Sequence, residues 1–151
     1  MFDLNRFEQA RFESKKARVA VEALAFFFDE GEAPEWEVRG LSASELHTAL
    51  EAEKRQGSID AIVKAIATKA DQAKAIRQAL GIAGDTPGEI AKRLEILVAG
   101  SVSPKIELSA AVKLAEAFPI EFLMLTNKIS ELTGQGADLV KPSAASQTIQ
   151  A

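Results

Sequence analysis

From Leu41 to Gly134 the apolar residues return at intervals of three and four, and glycine or proline cuts the pattern into runs of about a dozen residues. Each run reads as an amphipathic helix too short to be stable alone, which must bury its stripe against its neighbours. Short helices joined by short loops make a mainly α chain, a compact bundle of about five to six members. A length of 151 residues suits one domain around one core, expected at residues 19–134.

The boundaries are legible one by one. In Ser42-Ala43-Ser44-Glu45 a serine hydroxyl and a glutamate three residues later can satisfy each other's free amides, so a helix starts there. It carries Leu46, Ala49 and Leu50 on one face and ends near Gln56-Gly57. Ile59, Ile62, Val63 and Ile66 mark a second helical pattern, and Ala73, Ile76, Ala79 and Leu80 a third that stops at Gly81. Thr86-Pro87-Gly88-Glu89 joins a cap, a first-turn proline and a glutamate at the third helical position. The helix it opens buries Ile90, Leu94, Leu97 and Val98, and Gly100 ends it; Pro104 and Lys105 fall in the loop beyond. Leu108, Ala111, Val112 and Ala115 mark the next. Phe118-Pro119 forces a break and restart, and the last helix carries Ile120, Phe122, Leu123, Ile129 and Leu132 as far as Gly134.

The first forty residues are less regular. Phe2, Phe7 and Phe12 recur every five residues in a polar stretch, and residues 1–18 read as an N-terminal arm whose rings either pack back on the core or dock on a neighbour. Between Val19 and Val38 the valines and Phe26-Phe27-Phe28 suit a strand, whereas Glu22-Ala23-Leu24-Ala25 suits a helix. The preferred reading is a small β-hairpin over residues 19–39, turning at Asp29-Glu30-Gly31-Glu32-Ala33-Pro34 and returning along Glu35 to Arg39. A lone hairpin is marginal in water, so it must lie on the helices or pair with another chain. Gln135 to Ala151 is small, polar and without periodicity, and is expected to be a disordered, flexible tail.

Few residues are equipped for catalysis. With no cysteine there is no thiolate nucleophile, thiolate metal site or disulfide. The one histidine, His47, sits on a predicted helix beside Glu45 with no second histidine to partner it. Gly81-Ile82-Ala83-Gly84 and Gly134-Gln135-Gly136 match neither phosphate-binding fingerprint and read as helix stops. No serine lies in a nucleophile elbow, and the carboxylates show no metal-ligand spacing. The expectation is a protein that is not an enzyme and uses no cofactor and no metal.

Nucleic acid and membrane are not expected as partners either. The net charge is −4, from 22 acidic and 18 basic side chains. Lys15, Lys16 and Arg18 form only a short basic cluster. Residues 108–132 could be drawn as a helix-turn-helix, but the second helix would offer Phe122, Leu123, Met124 and Leu125 with Lys128 as its base. The longest apolar stretch, Val19 to Phe28, is interrupted by Glu22 and is too short to span a bilayer. Met1 to Lys16 has no apolar core of a secretion signal, which makes the cytoplasm the default. What is left is an apolar surplus in the C-terminal half. Phe118, Phe122 and Ile129 fill a core on one reading; on the other, Phe118-Pro119-Ile120 and part of the following helix rim a groove for a partner helix.

Two stretches carry a resemblance. Glu35 to Leu41 followed by Ser42-Ala43-Ser44-Glu45, with its Arg-x-Leu-(Ser/Thr)-x-x-Glu pattern, resembles the strand and turn leading into the first helix of the tail assembly chaperones of long-tailed bacteriophages and prophages. Phe118 to Gly136, with Leu125-Thr126-Asn127 and Leu132-Thr133-Gly134-Gln135-Gly136, is similar to the C-terminal part of phage tail proteins of this size. The resemblance spans residues 34–136 loosely, and neither motif is catalytic. It implies a chaperone that coats the helical tape measure protein, helps recruit tail tube protein subunits, is absent from the finished virion, and is compatible with a homo-oligomer. The residues nominated for partner binding are Trp36, Arg39, Leu41, Phe118, Phe122 and Met124. The competing readings are a permanent head-tail or tail component and a helical DNA-binding regulator.

Overall fold

The computed structural model describes residues 1–54 and 87–140. The chain is mainly helical with a small antiparallel sheet. In order it forms α1 (Leu4–Gln9), β1 (Phe12–Glu13), β2 (Lys16–Ala20), a 3₁₀ helix (Glu22–Phe27), β3 (Glu35–Arg39), α2 (Ala43–Lys54), α3 (Pro87–Gly100), β4 (Ser101–Ser103), α4 (Leu108–Ala117), α5 (Pro119–Gly134) and β5 (Asp138–Leu139).

The helix boundaries follow the local chemistry. At the head of α2, Ser42 N–H donates to Glu45 Oε1 at 3.0 Å and Glu45 N–H donates to Ser42 Oγ at 3.3 Å, the reciprocal cap expected from the sequence. Pro87 opens α3, Gly100 closes it, and the chain breaks at Phe118 before Pro119 restarts as α5. The predicted helical patterns at Ile59–Ile66 and Ala73–Leu80, with the stops at Gly57, Gly81 and Gly84, lie outside the described residues.

The expected hairpin is replaced by a larger sheet. Its return strand is present as β3, but the strand paired with it is β2, and β4 adds a third in the order β2-β3-β4. Lys16 to Ala20 alternates in burial, Ala17 and Val19 being half-buried between exposed neighbours, which is the period a one-sided sheet needs. The phenylalanine run has no such alternation. Residues Glu22–Phe27 wind into the 3₁₀ helix, which buries Leu24 and leaves Phe26 and Phe27 exposed.

The termini differ from expectation too. Residues 16–18, assigned to the arm, belong to the sheet. Phe2, Phe7 and Phe12 do not return to the core. Their rings meet one another in series, tilted, at centroid separations of 5.3 and 5.5 Å, and stay exposed. The first residues of the expected flexible tail are held against this arm. Phe12 and Glu13 pair with Leu139 and Asp138, Val140 N–H donates to Arg11 C=O at 2.8 Å, and Lys15 Nζ meets Asp138 Oδ1 at 2.6 Å. The missing periodicity that suggested disorder says nothing about backbone pairing of two residues, which is what holds this segment. Residues 141–151 lie outside the described residues.

The core lies between the helices and one face of the sheet. Ile90, Leu94, Ile96 and Leu97 of α3, Ala111, Val112, Leu114 and Ala115 of α4, and Phe122, Leu125, Ile129 and Leu132 of α5 are buried with Trp36 and Val38 of β3. Helix α5 packs on α3, α4 and β3, while α2 packs on α3. The last two lie so close that a Cβ on Gly88 would stand 2.7 Å from the Glu53 carbonyl oxygen.

Candidate functional site

The six nominated residues do not form one surface. Trp36 and Phe122 are buried, 7% and 1% exposed, so most of their area is already spent on the core. Arg39 is tied into the fold: its guanidinium donates two hydrogen bonds to the Glu45 carboxylate and one to the Gly40 carbonyl. Those bonds, with the Ser42 amide behind them, hold the Glu45 carboxyl down at about 2 and push the Arg39 guanidinium up. Leu41 is half-buried, and its N–H donates to Thr133 Oγ1 at 2.9 Å. The Arg39-Gly40-Leu41-Ser42 stretch thus joins β3 to α2 and to the end of α5. The signature residues are engaged in that joint. Met124 is 43% exposed and lies one turn from the more exposed Ile120 on the outer side of α5.

Only Trp36 and Phe118 are brought together, in a groove of about 920 Å³. One wall comes from the 3₁₀ segment and β3, with Leu24, Phe27, Phe28, Ala33 and Trp36. The opposite wall is the α4 face of Ala110, Leu114 and Ala117 with Phe118 at its end, and Pro104 lies between. Arg18, Lys113, Glu32, Glu35, Glu37 and Ser103 supply the polar part of the lining. Phe118 is placed by the helix break: its own N–H donates to Leu114 C=O at 2.8 Å, and its C=O accepts from Phe122 N–H at 3.0 Å. Phe27 is 71% exposed at the mouth.

Sequence reasoning missed the wall formed by Leu24, Phe27 and Phe28. The signal was present as three consecutive phenylalanines ahead of an acidic turn, but a strand assignment sent alternate rings to opposite faces. The groove combines apolar side chains with the charged Arg18, Glu32, Glu35, Glu37 and Lys113, a lining suited to an apolar side chain or helix face. His47 stands apart, its side chain 73% exposed and 4.0 Å from Glu51. Among the described residues no group of three or more histidine, aspartate or glutamate side chains is placed to hold a metal ion. No helix among them is long and apolar enough to cross a membrane.

Comparison with protein-family models, curated proteins and solved structures finds no match to this chain.

Proposed function

We propose that the protein is a non-enzymatic tail assembly chaperone of a long-tailed bacteriophage or prophage. It binds apolar helical stretches of the tape measure protein in the cytoplasm of the bacterial host, helps recruit tail tube subunits, and is left out of the mature virion. The observation that carries this reading is the groove between the 3₁₀ segment and α4, which keeps Phe27 in solvent beside the half-buried Phe28 and Phe118. Leaving a large ring exposed costs about 1.5–3 kcal/mol relative to burying it, and an apolar helix laid in the groove recovers that energy. The resemblance over residues 34–136 supplies the identity of the client, and the charged residues of the groove lining keep the free protein dispersed.

Co-expression with a tape measure protein tests the reading. The client is expected in the soluble fraction with this chain and in the pellet without it, and Phe27→Asp is expected to lose most of that protection. A client equally insoluble with and without the chain removes the proposal. Detection of the chain in purified particles turns it into a permanent tail component.

A further inference from the structure

Strand β2 is the open edge of the three-stranded sheet, and the basic cluster noted in the sequence runs along it. The direction of its backbone groups follows from the pairing with β3. Gly40 N–H donates to Lys15 C=O at 2.9 Å and Val21 N–H donates to Pro34 C=O at 2.8 Å. The register sets Ala17 opposite Val38 and Val19 opposite Trp36. Residues of odd number therefore turn their amides and carbonyls toward β3, and Lys16, Arg18 and Ala20 turn theirs away from it. Among the described residues no strand pairs with that outer edge. The side chains of these three are exposed and alternate with the half-buried Ala17 and Val19.

We propose that this edge accepts an extended segment of another protein in which acidic and apolar residues alternate, added antiparallel to β2 as a fourth strand. The outward groups of Lys16, Arg18 and Ala20 supply the main-chain hydrogen bonds. Side chains of a strand alternate between faces, so the segment's acidic residues lie beside Lys16 and Arg18 and its apolar residues beside Ala17 and Val19. Over residues 35–38 the inner edge of β2 already holds a strand of this chemistry. Glu37 and Glu35 of β3 stand opposite Arg18 and Ala20, with Arg18 Nε 3.4 Å from Glu37 Oε2, and Trp36 and Val38 stand opposite Val19 and Ala17; only at the strand's end does Arg39 face Lys16, and Arg39 is neutralised there by Glu45. A second copy of the chain fits less well, because β2 offers no acidic residue of its own, and the self-pairings centred on residues 17 and 18 set Lys16 against Arg18 or Arg18 against Arg18. The proposal does not rest on the groove or its client, although Arg18 borders both surfaces; Ala20, which the groove does not include, separates them.

The test uses the full chain and a fluorescein-labelled peptide, Glu-Val-Glu-Trp-Glu-Val, followed by fluorescence anisotropy. Two control peptides carry the same residues with the glutamates grouped at one end, or lysine in place of every glutamate. The alternating acidic peptide is expected to bind roughly tenfold tighter than either control. Ala20→Pro removes one outward N–H while leaving the bonds to β3 in place, a position where a strand tolerates proline. It is expected to weaken binding roughly tenfold with the circular dichroism spectrum and melting temperature unchanged. Arg18→Glu is expected to shift preference toward the lysine peptide, and it decides the matter alone should the proline variant lose its fold. Equal binding of all three peptides overturns the proposal, as does an unchanged preference in Arg18→Glu. Full affinity in a folded Ala20→Pro variant also overturns it, since the cluster would then be a general anion site. So does sedimentation showing a dimer that Ala20→Pro splits, since the edge would then belong to a second copy.

Discussion

Trp36 Nε1 donates a hydrogen bond to Ser101 Oγ at 3.0 Å, and the Ser101 hydroxyl in turn donates to the Leu97 carbonyl at 2.6 Å. Both side chains are buried, so this short chain of bonds is how the sheet tolerates an indole N–H against the helices. Ser101→Ala leaves that N–H without its acceptor and is expected to cost about 1–3 kcal/mol, read as a lower midpoint in urea denaturation. Adding Trp36→Phe removes the donor as well. The double variant is expected to lose less than the sum of the two single changes.

The Arg39–Glu45 pair makes stability depend on acid. Glu45 is held at about 2 in the folded chain against an ordinary value of 4.5, chiefly by its hydrogen bonds from Arg39. A carboxyl depressed by folding contributes stability that is full above its unfolded value and is lost as pH falls through its folded one. Unfolding midpoints are therefore expected to decline between about pH 4.5 and pH 2. With the carboxylate's side chain 29% exposed, solvent screening limits the effect to roughly 1 kcal/mol. Glu45→Gln is expected to be weaker than the parent at pH 7 and to show a shallower acid slope. A slope equal to the parent's would assign the acid sensitivity to other carboxylates.

Gly100 sits where the end of α3 crosses α5. A Cβ added there would meet Ile129 Cδ1, Cγ2 and Cγ1 at 2.6, 2.7 and 2.8 Å, and Ile129 is fully buried. A β-branched side chain met by three of its atoms in a packed core has little room to yield. Gly100→Ala is expected to destabilise by about 1–3 kcal/mol, and Ile129→Val in the same chain is expected to recover part of that loss. Thermal melts of the four combinations measure the coupling.

The helices were legible because their signals are local. Ser42 with Glu45, Pro87 and the Phe118-Pro119 break each set a boundary through groups within four residues of one another. The sheet was less so, since pairing β3 with β4 joins residues 37 and 38 to 103 and 101, and no local pattern in Ser101-Val102-Ser103 announces a strand. Two aromatic stretches misled for opposite reasons. Phe26-Phe27-Phe28 looked like strand because β propensity offered it to Glu35–Arg39, whose actual partner is Lys16–Ala20, whereas Phe2, Phe7 and Phe12 fit no period because their rings meet one another across α1 and β1. Of the nominated site, Trp36 and Phe118 reach the groove. Arg39 and Leu41 drew notice for a motif that also builds the strand-to-helix joint, because such a joint and a binding edge use the same residue types.

Trp36 is the chain's single tryptophan and forms part of the groove wall, so its emission reports occupancy directly. An apolar dye such as anilinonaphthalene sulfonate, seated in the groove, is expected to quench Trp36 by energy transfer. Phe27 lines the mouth and is 71% exposed; Phe26 is 89% exposed and lies outside the lining. Neither ring contributes much to the core, so Phe27→Asp and Phe26→Asp are each expected to change stability by no more than about 0.5 kcal/mol. Their effects on the dye should separate. Phe27→Asp takes apolar area from the mouth and puts a charge where the ligand would lie, and is expected to weaken dye binding roughly tenfold, while Phe26→Asp leaves it near the parent value. Equal losses in both variants would mean that the dye reads the exposed aromatic pair, whose rings meet edge to face at 5.3 Å, and that the groove is not the apolar binding surface.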